Sequence, residues 1–169
     1  GIDLVVELPT LYATSSAENF ADGAIKILNS LKVVDYLAFG SETADMDILN
    51  PIADILYQEP KAYKLLLSHE LKKGVSFPKA RENALMLYLG DIRKYLNVLS
   101  EPNNVLGLEY MKSLKKHKSN IIPVAIPRFE AGYNDINYSG NIASATAIRN
   151  IIKNGDFRIA KKLLPDSSY

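Results

Sequence analysis

The sequence predicts an α/β fold in which a parallel sheet carries a long helical insertion. Two short β-branched runs flank a helical segment within the first 40 residues, the middle of the chain repeats apolar residues at helical spacing, and a third β-branched run follows well downstream. With 169 residues, 47% of them hydrophobic, the chain can bury a core of its own, and one domain is the default.

Each element has a local reason. "IDLVVELP" is apolar, β-branched and closed by Pro9, as a buried strand is. In "SSAENFADGAIKILNSL", Ser16 stands at the N-cap position, Glu18 and Asp22 come early, and Ala17, Phe20, Ala21, Ala24, Ile25, Leu28 and Leu31 recur at helical spacing. "VVDYLAFGSE" predicts a second buried strand over Val33 to Phe39, ending in Gly40 and Ser41. Strand, helix and strand so close together form a βαβ unit, which requires a right-handed crossover.

The middle is helical. "ILNPIADILYQ" stops before Pro60, "KAYKLLLSHELKKG" ends at Gly74, and "FPKARENALMLYLG" has Pro78 near its first turn, so residues 48–100 are expected to form the insertion. "EPNNVLGLEYMKSLKKHK" predicts a loop feeding a further helix through Val105, Leu106, Leu108, Tyr110, Met111 and Leu114. "NIIPVAIPRF" predicts a third strand, Ile121 to Ile126, whose Pro123 argues for an edge or a strand end. A polar loop, "EAGYNDINYSGN", then leads to an amphipathic helix opening at "SATAIR" and a last short helix in "GDFRIAKKLLP".

Composition narrows the function classes. Without cysteine, disulfides and thiolate metal sites are excluded, and His69 and His117 lie far apart in lysine-flanked stretches, so no metal site is predicted. No apolar run approaches the roughly 18 to 20 residues that span a bilayer, and the start does not resemble a secretory signal. A soluble, cytoplasmic protein without membrane contact is expected. Residues 1–60 carry ten acids and two bases, leaving nine acids and eighteen bases for the rest. A basic half suits a polyanionic partner or solvated helix faces. "FPKAR" and "LKKHK" are candidates for nucleic-acid backbone through Lys79, Arg81, Lys115, Lys116 and Lys118.

Open α/β sheets bind ligands outside the carboxyl ends of their strands. Three polar clusters fall at such places: Gly40-Ser41-Glu42, Arg128, and Ser144 to Arg149. At a helix N-terminus the first N–H groups lack internal partners, so phosphate can take them together with Ser144 and Thr146, and Arg149 can add a charged pair. The same letters also describe a Ser144 cap with a solvated Arg149. Gly40 lets a nucleotide approach the backbone or makes an ordinary turn. Asn103 and Asn104 offer an amide edge to a base or ribose, or cap a helix.

Together, "DLVVELP", "FADGAIKILNSL", "FGSE", "PNNVLGLEY" and "SATAIR" occur in the order and rough spacing of one family. The chain resembles bacterial tRNA(Met) cytidine acetate ligases over essentially its whole length, and this resemblance implies a Rossmann-like parallel sheet of the HxGH nucleotidyltransferase type. It further implies an enzyme that activates acetate with ATP, accompanied by Mg, to acetyl-adenylate, and passes the acetyl group to N4 of the wobble cytidine of elongator tRNA(Met). Carried over, Gly40, Asn103, Arg128 and Phe129 fall on positions expected to contact ATP, while Ser144, Thr146 and Arg149 match the motif that holds its phosphates. Lys72, Lys73, Lys79 and Arg81 are weaker candidates for tRNA contact.

The resemblance also implies an HxGH loop, and none occurs here, so the chain is expected to be a partial catalytic domain, without its catalytic residues and inactive alone. Competing expectations are a nucleotidyltransferase adenylating another small substrate, such as phosphopantetheine or a nicotinamide nucleotide, and a non-catalytic nucleotide- or RNA-binding module.

Overall fold

The computed structural model describes residues 2–128 and 143–165. By its internal contacts the chain divides into two compact units, Val6–Pro127 and a second made of Gly1–Val5 with Arg128–Tyr169, where composition alone suggests one domain.

In the larger unit the elements run α1 (Thr10–Ala13), α2 (Ala17–Leu31), β1 (Tyr36–Ser41), α3 (Met46–Gln58), α4 (Lys61–Lys72), α5 (Phe77–Leu89), α6 (Ile92–Tyr95), α7 (Pro102–Lys116) and β2 (Ile122–Pro127). The predicted helices form where their caps say they should. Ser16 Oγ accepts from Asn19 N at the start of α2, Asp45 caps α3 through Asp47 N, and Gly90, at φ 74, ends α5 in the left-handed conformation that glycine adopts without penalty. The short α1 and α6 add to the predicted elements, and Asp91 caps α6 by accepting from Lys94 N at 3.2 Å.

β1 and β2 pair in parallel, from Tyr36 opposite Ile122 to Ser41 opposite Pro127. Helices α3 to α7 therefore lie within one crossover between adjacent strands. Pairing sets the strand limits: β1 begins at Tyr36 rather than Val33, leaving Val33 exposed, and runs through Gly40 and Ser41, which the sequence places just beyond its end. Pro123 sits inside β2, which is tolerable because each strand is an edge in the two-stranded ladder.

The predicted first strand is not formed. Residues 2–9 join no ladder, and Ile2, Leu4, Val5 and Val6 are exposed. A β-branched run is compatible with a strand, but only a neighbour with free N–H and C=O groups makes one. The parallel pair that does form joins β1 to β2, not to this run.

Asn103 and Asn104, expected in a loop, belong to the first turn of α7. Pro102 occupies the first helical position, where its missing N–H has no partner to lose. α7 lies against β1 because residue 107 is glycine: a Cβ there would stand 2.3 Å from Cε2 of Phe39. The main core gathers Phe39 of β1, Leu49, Ile52, Ala53 and Leu56 of α3, Tyr63 of α4, Ala84 and Leu85 of α5, and Leu108 and Met111 of α7. Each large side chain there contributes about 1.5–3 kcal/mol by leaving water. A smaller cluster, Ile25, Leu114 and Ile121, joins α2 to α7 and the start of β2.

The second unit contains α8 (Ala145–Lys153) and α9 (Phe157–Leu163), with Ala147 and Ala160 buried.

Candidate functional site

The carboxyl end of β1 is built by alternation. Leu37, Phe39 and Ser41 face inward toward α7, while Tyr36, Ala38 and Gly40 face outward, so Gly40 presents bare backbone at an exposed position. After Ser41 the chain turns through Glu42, Thr43 and Ala44, and α7 holds that turn. Asn104, fully buried, accepts from Ser41 Oγ at 2.6 Å and from Thr43 N at 3.0 Å through Oδ1, and its Nδ2 donates to Thr43 Oγ1 at 2.8 Å. Ser41 Oγ in turn accepts from Ala44 N at 3.1 Å.

Glu42 closes the arrangement from the solvent side. Its Oε2 accepts from Asn104 N at 3.0 Å and its Oε1 from Asn103 Nδ2 at 2.5 Å. A carboxylate therefore caps α7 from another element, where the helix dipole favours it by about 0.3–1 kcal/mol. Asparagine does not cap this helix. Instead the two asparagines divide: Asn104 is structural and inward, Asn103 half-buried beside Glu42.

Arg128 follows Pro127, the last residue of β2, and is exposed, whereas Phe129 lies outside the described residues. In the second unit Ser144 is the N-cap of α8, and its Oγ accepts from Ala147 N at 3.0 Å. Arg149 is exposed and donates to Thr146 Oγ1 at 3.2 Å, one turn earlier. The helix begins as its sequence predicts, and the hydroxyl and guanidinium share one face. The first N–H groups of any helix have no partner within it.

The basic residues of the other unit are mostly engaged. Lys73 pairs with Glu70 at 2.5 Å and Lys79 with Glu82 at 2.8 Å. Arg81 reaches Glu109 at 2.8 Å, and both side chains are largely shielded. Lys112 spans Glu18 at 2.7 Å and Glu109 at 3.3 Å, and the nearby ammonium holds the Glu18 carboxyl below its ordinary range. Lys72 is exposed and makes no ion pair among the described residues.

Lys115 pairs with Asp54 at 2.8 Å. Asp22 gathers Lys26 at 2.6 Å, Lys116 at 2.9 Å and His117 Nε2 at 2.8 Å, and these donors, Lys26 foremost, hold its carboxyl well below the usual carboxylate range against the opposing effect of burial. Burial pushes the Tyr63 hydroxyl up. Among the described residues no three His, Asp or Glu side chains assemble as a metal site, and no helix is long and apolar enough to cross a membrane.

The inward role of Asn104 escapes a reading that treats the two asparagines as a pair. The signal is nevertheless in the spacing: Asn104, Leu108 and Met111 stand at i, i+4 and i+7, all buried, while Asn103 falls off that stripe.

Known proteins align with the whole chain. The profile of the family described as HIGH Nucleotidyl Transferase matches residues 1–169. The tRNA(Met) cytidine acetate ligase of Caldanaerobacter subterraneus subsp. tengcongensis is 51% identical over 98% of this chain and 41% of the relative. That of Clostridium perfringens is 49% identical over 100% of this chain and 44% of the relative. The chain thus spans about two-fifths of the length of the curated relatives it matches.

Crystal structures of Thermotoga maritima TmcAL superpose with TM-scores of 0.92 for an apo form, at 40% identity over 99% of this chain and 40% of that one, and 0.87 for a form bound with alpha-thio ATP, at 38% identity over 99% and 39%. These likenesses confirm the Rossmann-like α/β class expected of the parallel sheet. The chain belongs to the HIGH nucleotidyl transferase family.

Proposed function

We propose that the protein carrying this chain is an ATP-dependent tRNA(Met) cytidine acetate ligase of the cytoplasm. In this reading a carboxylate oxygen of acetate attacks the α-phosphorus of ATP, and the bond to pyrophosphate breaks to leave acetyl-adenylate. The N4 amine of the wobble cytidine then attacks the acetyl carbonyl, AMP departs, and the amine loses a proton. The observation that supports this most directly is the likeness to a relative solved with alpha-thio ATP, 38% identical across 99% of the chain.

The residues are assigned roles within their own units. Gly40 admits the nucleotide to bare backbone at the end of β1, and Asn103 offers its amide to the nucleoside. In the other unit Arg128 and Phe129, the two residues that follow Pro127 in the sequence, contact ATP, and Ser144, Thr146 and Arg149 hold phosphate, with the hydroxyl and guanidinium side by side at the start of α8. Mg2+ travels with the triphosphate. Contact with tRNA at Lys72, Lys73, Lys79 and Arg81 is the weakest assignment, since three of the four are ion-paired.

The test is direct. Full-length protein given ATP, labelled acetate and tRNA(Met) is expected to form N4-acetylcytidine, detected by nucleoside mass spectrometry, with release of AMP and pyrophosphate. Transfer of an adenylyl group to phosphopantetheine or a nicotinamide nucleotide, with no acetylated tRNA, would replace the ligase by another transferase. Binding of ATP and tRNA without turnover would leave a binding module.

A further inference from the structure

We propose that Lys32 and Lys118 hold the phosphate backbone of the RNA substrate at the amino ends of β1 and β2. This rests on the reading above that tRNA is the acceptor. An open cavity of about 620 Å3 lies there, bounded by Asp35 and Ile121, the residues just before the two strands, by the last turns of α2 and by the segment that follows α7. Lys26, Lys32 and Lys118 line it against a single carboxylate, Asp35. Lys26 is committed to Asp22, as is Lys116, and Lys115 to Asp54. Lys32 and Lys118 are exposed and make no ion pair among the described residues. Of the basic stretch "LKKHK", Lys118 is thus the ammonium left to meet an outside anion.

The backbone at both positions favours a different residue. Lys32 has φ 60 and Lys118 φ 48, in the left-handed region where glycine is unstrained and a side chain is not. After α7, Lys118 N donates to Lys115 O at 3.1 Å and Ser119 N to Leu114 O at 2.9 Å, a closure that most often carries glycine where Lys118 stands. The helix dipole does not explain the exchange, because a cation anywhere in the last turn serves it, and Lys115 and Lys116 already occupy that turn of α7. Two lysines at strained positions, from segments far apart in the sequence, line one cavity. Strain of this kind gathers at functional sites, and unpaired ammonium groups suit phosphodiesters. The strands are six residues long, or about 20 Å, so a nucleotide at Gly40 does not reach this end, whereas an RNA stem passing both ends does.

The experiment measures the affinity of full-length protein for an elongator tRNA(Met) transcript by fluorescence anisotropy across a potassium chloride series, in the wild type, Lys32→Gly, Lys118→Gly and the double variant. A lysine that meets a phosphate adds about 0.7–0.9 to the slope of log affinity against log salt, so each variant is expected to lose affinity roughly five- to eightfold at about 0.1 M salt. The two losses multiply in the double variant. Glycine relieves the left-handed strain, so the melting temperature is expected to hold or rise, and affinity for ATP by calorimetry stays at its wild-type value. Weaker RNA binding by a protein that is no less stable separates a binding role from a capping one.

Wild-type affinity and salt slope in the double variant overturn the proposal while leaving the ligase reading intact, as does a loss of affinity at an unchanged slope. Should the double variant fail to fold, reductive methylation of the wild type decides: tRNA is expected to protect Lys32 and Lys118, and equal labelling with and without it overturns the assignment. Wild-type protein that binds no tRNA overturns the proposed function, and this site with it.

Discussion

Replacing Asn104 with alanine tests whether the turn at the end of β1 is held from inside. The side chain makes three hydrogen bonds in a fully buried position: Ser41 Oγ and Thr43 N donate to Oδ1, and Nδ2 donates to Thr43 Oγ1. Alanine removes all three and leaves the Thr43 N–H without its acceptor. A stranded donor costs about 1–3 kcal/mol, and the lost hydroxyl partners add about 1 kcal/mol between them, because Ser41 can rotate and still accept from Ala44 N. The expected loss is about 3 kcal/mol, a large share of the roughly 5–15 kcal/mol that a domain commands.

For a chain of 169 residues that corresponds to a fall in Tm of about 6–12 °C. Circular dichroism during thermal unfolding measures it, with Asn103→Ala as the neighbouring control. That control keeps the Glu42 contact to Asn104 N, and its stability is expected to change by less than about 0.5 kcal/mol. A drop below 2 °C in Asn104→Ala, or equal drops in the two variants, refutes the division of labour between these adjacent residues.

Four further outcomes are expected. Gly107→Ala pushes a methyl group to within 2.3 Å of the Phe39 ring, so α7 must shift, and stability measured by urea unfolding falls by about 1–3 kcal/mol. Arg81→Ala strips the closer partner from the buried Glu109 and lowers stability by about 3 kcal/mol, whereas replacing both by methionine recovers most of it in the same assay. Asp22→Asn destabilises at neutral pH; because the folded carboxyl is held low, the wild type's advantage is complete above about pH 4 and shrinks as the pH falls toward that lowered value, which acid titration of the unfolding midpoint in both proteins reports. Arg149→Ala leaves the melting curve unchanged, since its side chain is exposed and its bond to Thr146 lies at the surface, and weakens ATP binding at least fivefold by calorimetry.

Local signals were legible in the sequence and pairing was not. Ser16 and Ser144 cap the helices that follow them because capping needs only residues within one turn. The limits of β1 depend on β2, which pairs with it from the far side of a five-helix crossover, so Val33 and Val34 look like strand and are not. The same limit explains residues 2–9, whose composition permits a strand that no described neighbour completes. At the candidate site, Gly40, Asn103 and the cap of α8 were visible as motifs. The contact of Glu42 with α7 was not, because it joins segments about sixty residues apart in the chain.

Charge asymmetry along the sequence has a structural use that composition alone does not suggest. Residues 1–60 carry ten acids and the remainder eighteen bases, and in the larger unit three such pairs form along α7: Lys112 with Glu18, Lys115 with Asp54, and Lys116 with Asp22. The pairs of Lys112 with Glu18 and Lys115 with Asp54, each with a partly exposed partner, contribute about 0.2–1 kcal/mol each, less than the apolar contacts of Ile25 and Leu114 that join α2 to α7. A basic half therefore need not announce a polyanion. Any binding of tRNA through Lys73, Lys79 or Arg81 must first compete with Glu70, Glu82 or Glu109, and Lys72 alone of the four is spared that competition among the described residues. Reversing Lys72 should accordingly flatten the salt dependence of tRNA affinity more than reversing Arg81, whose loss appears in stability instead.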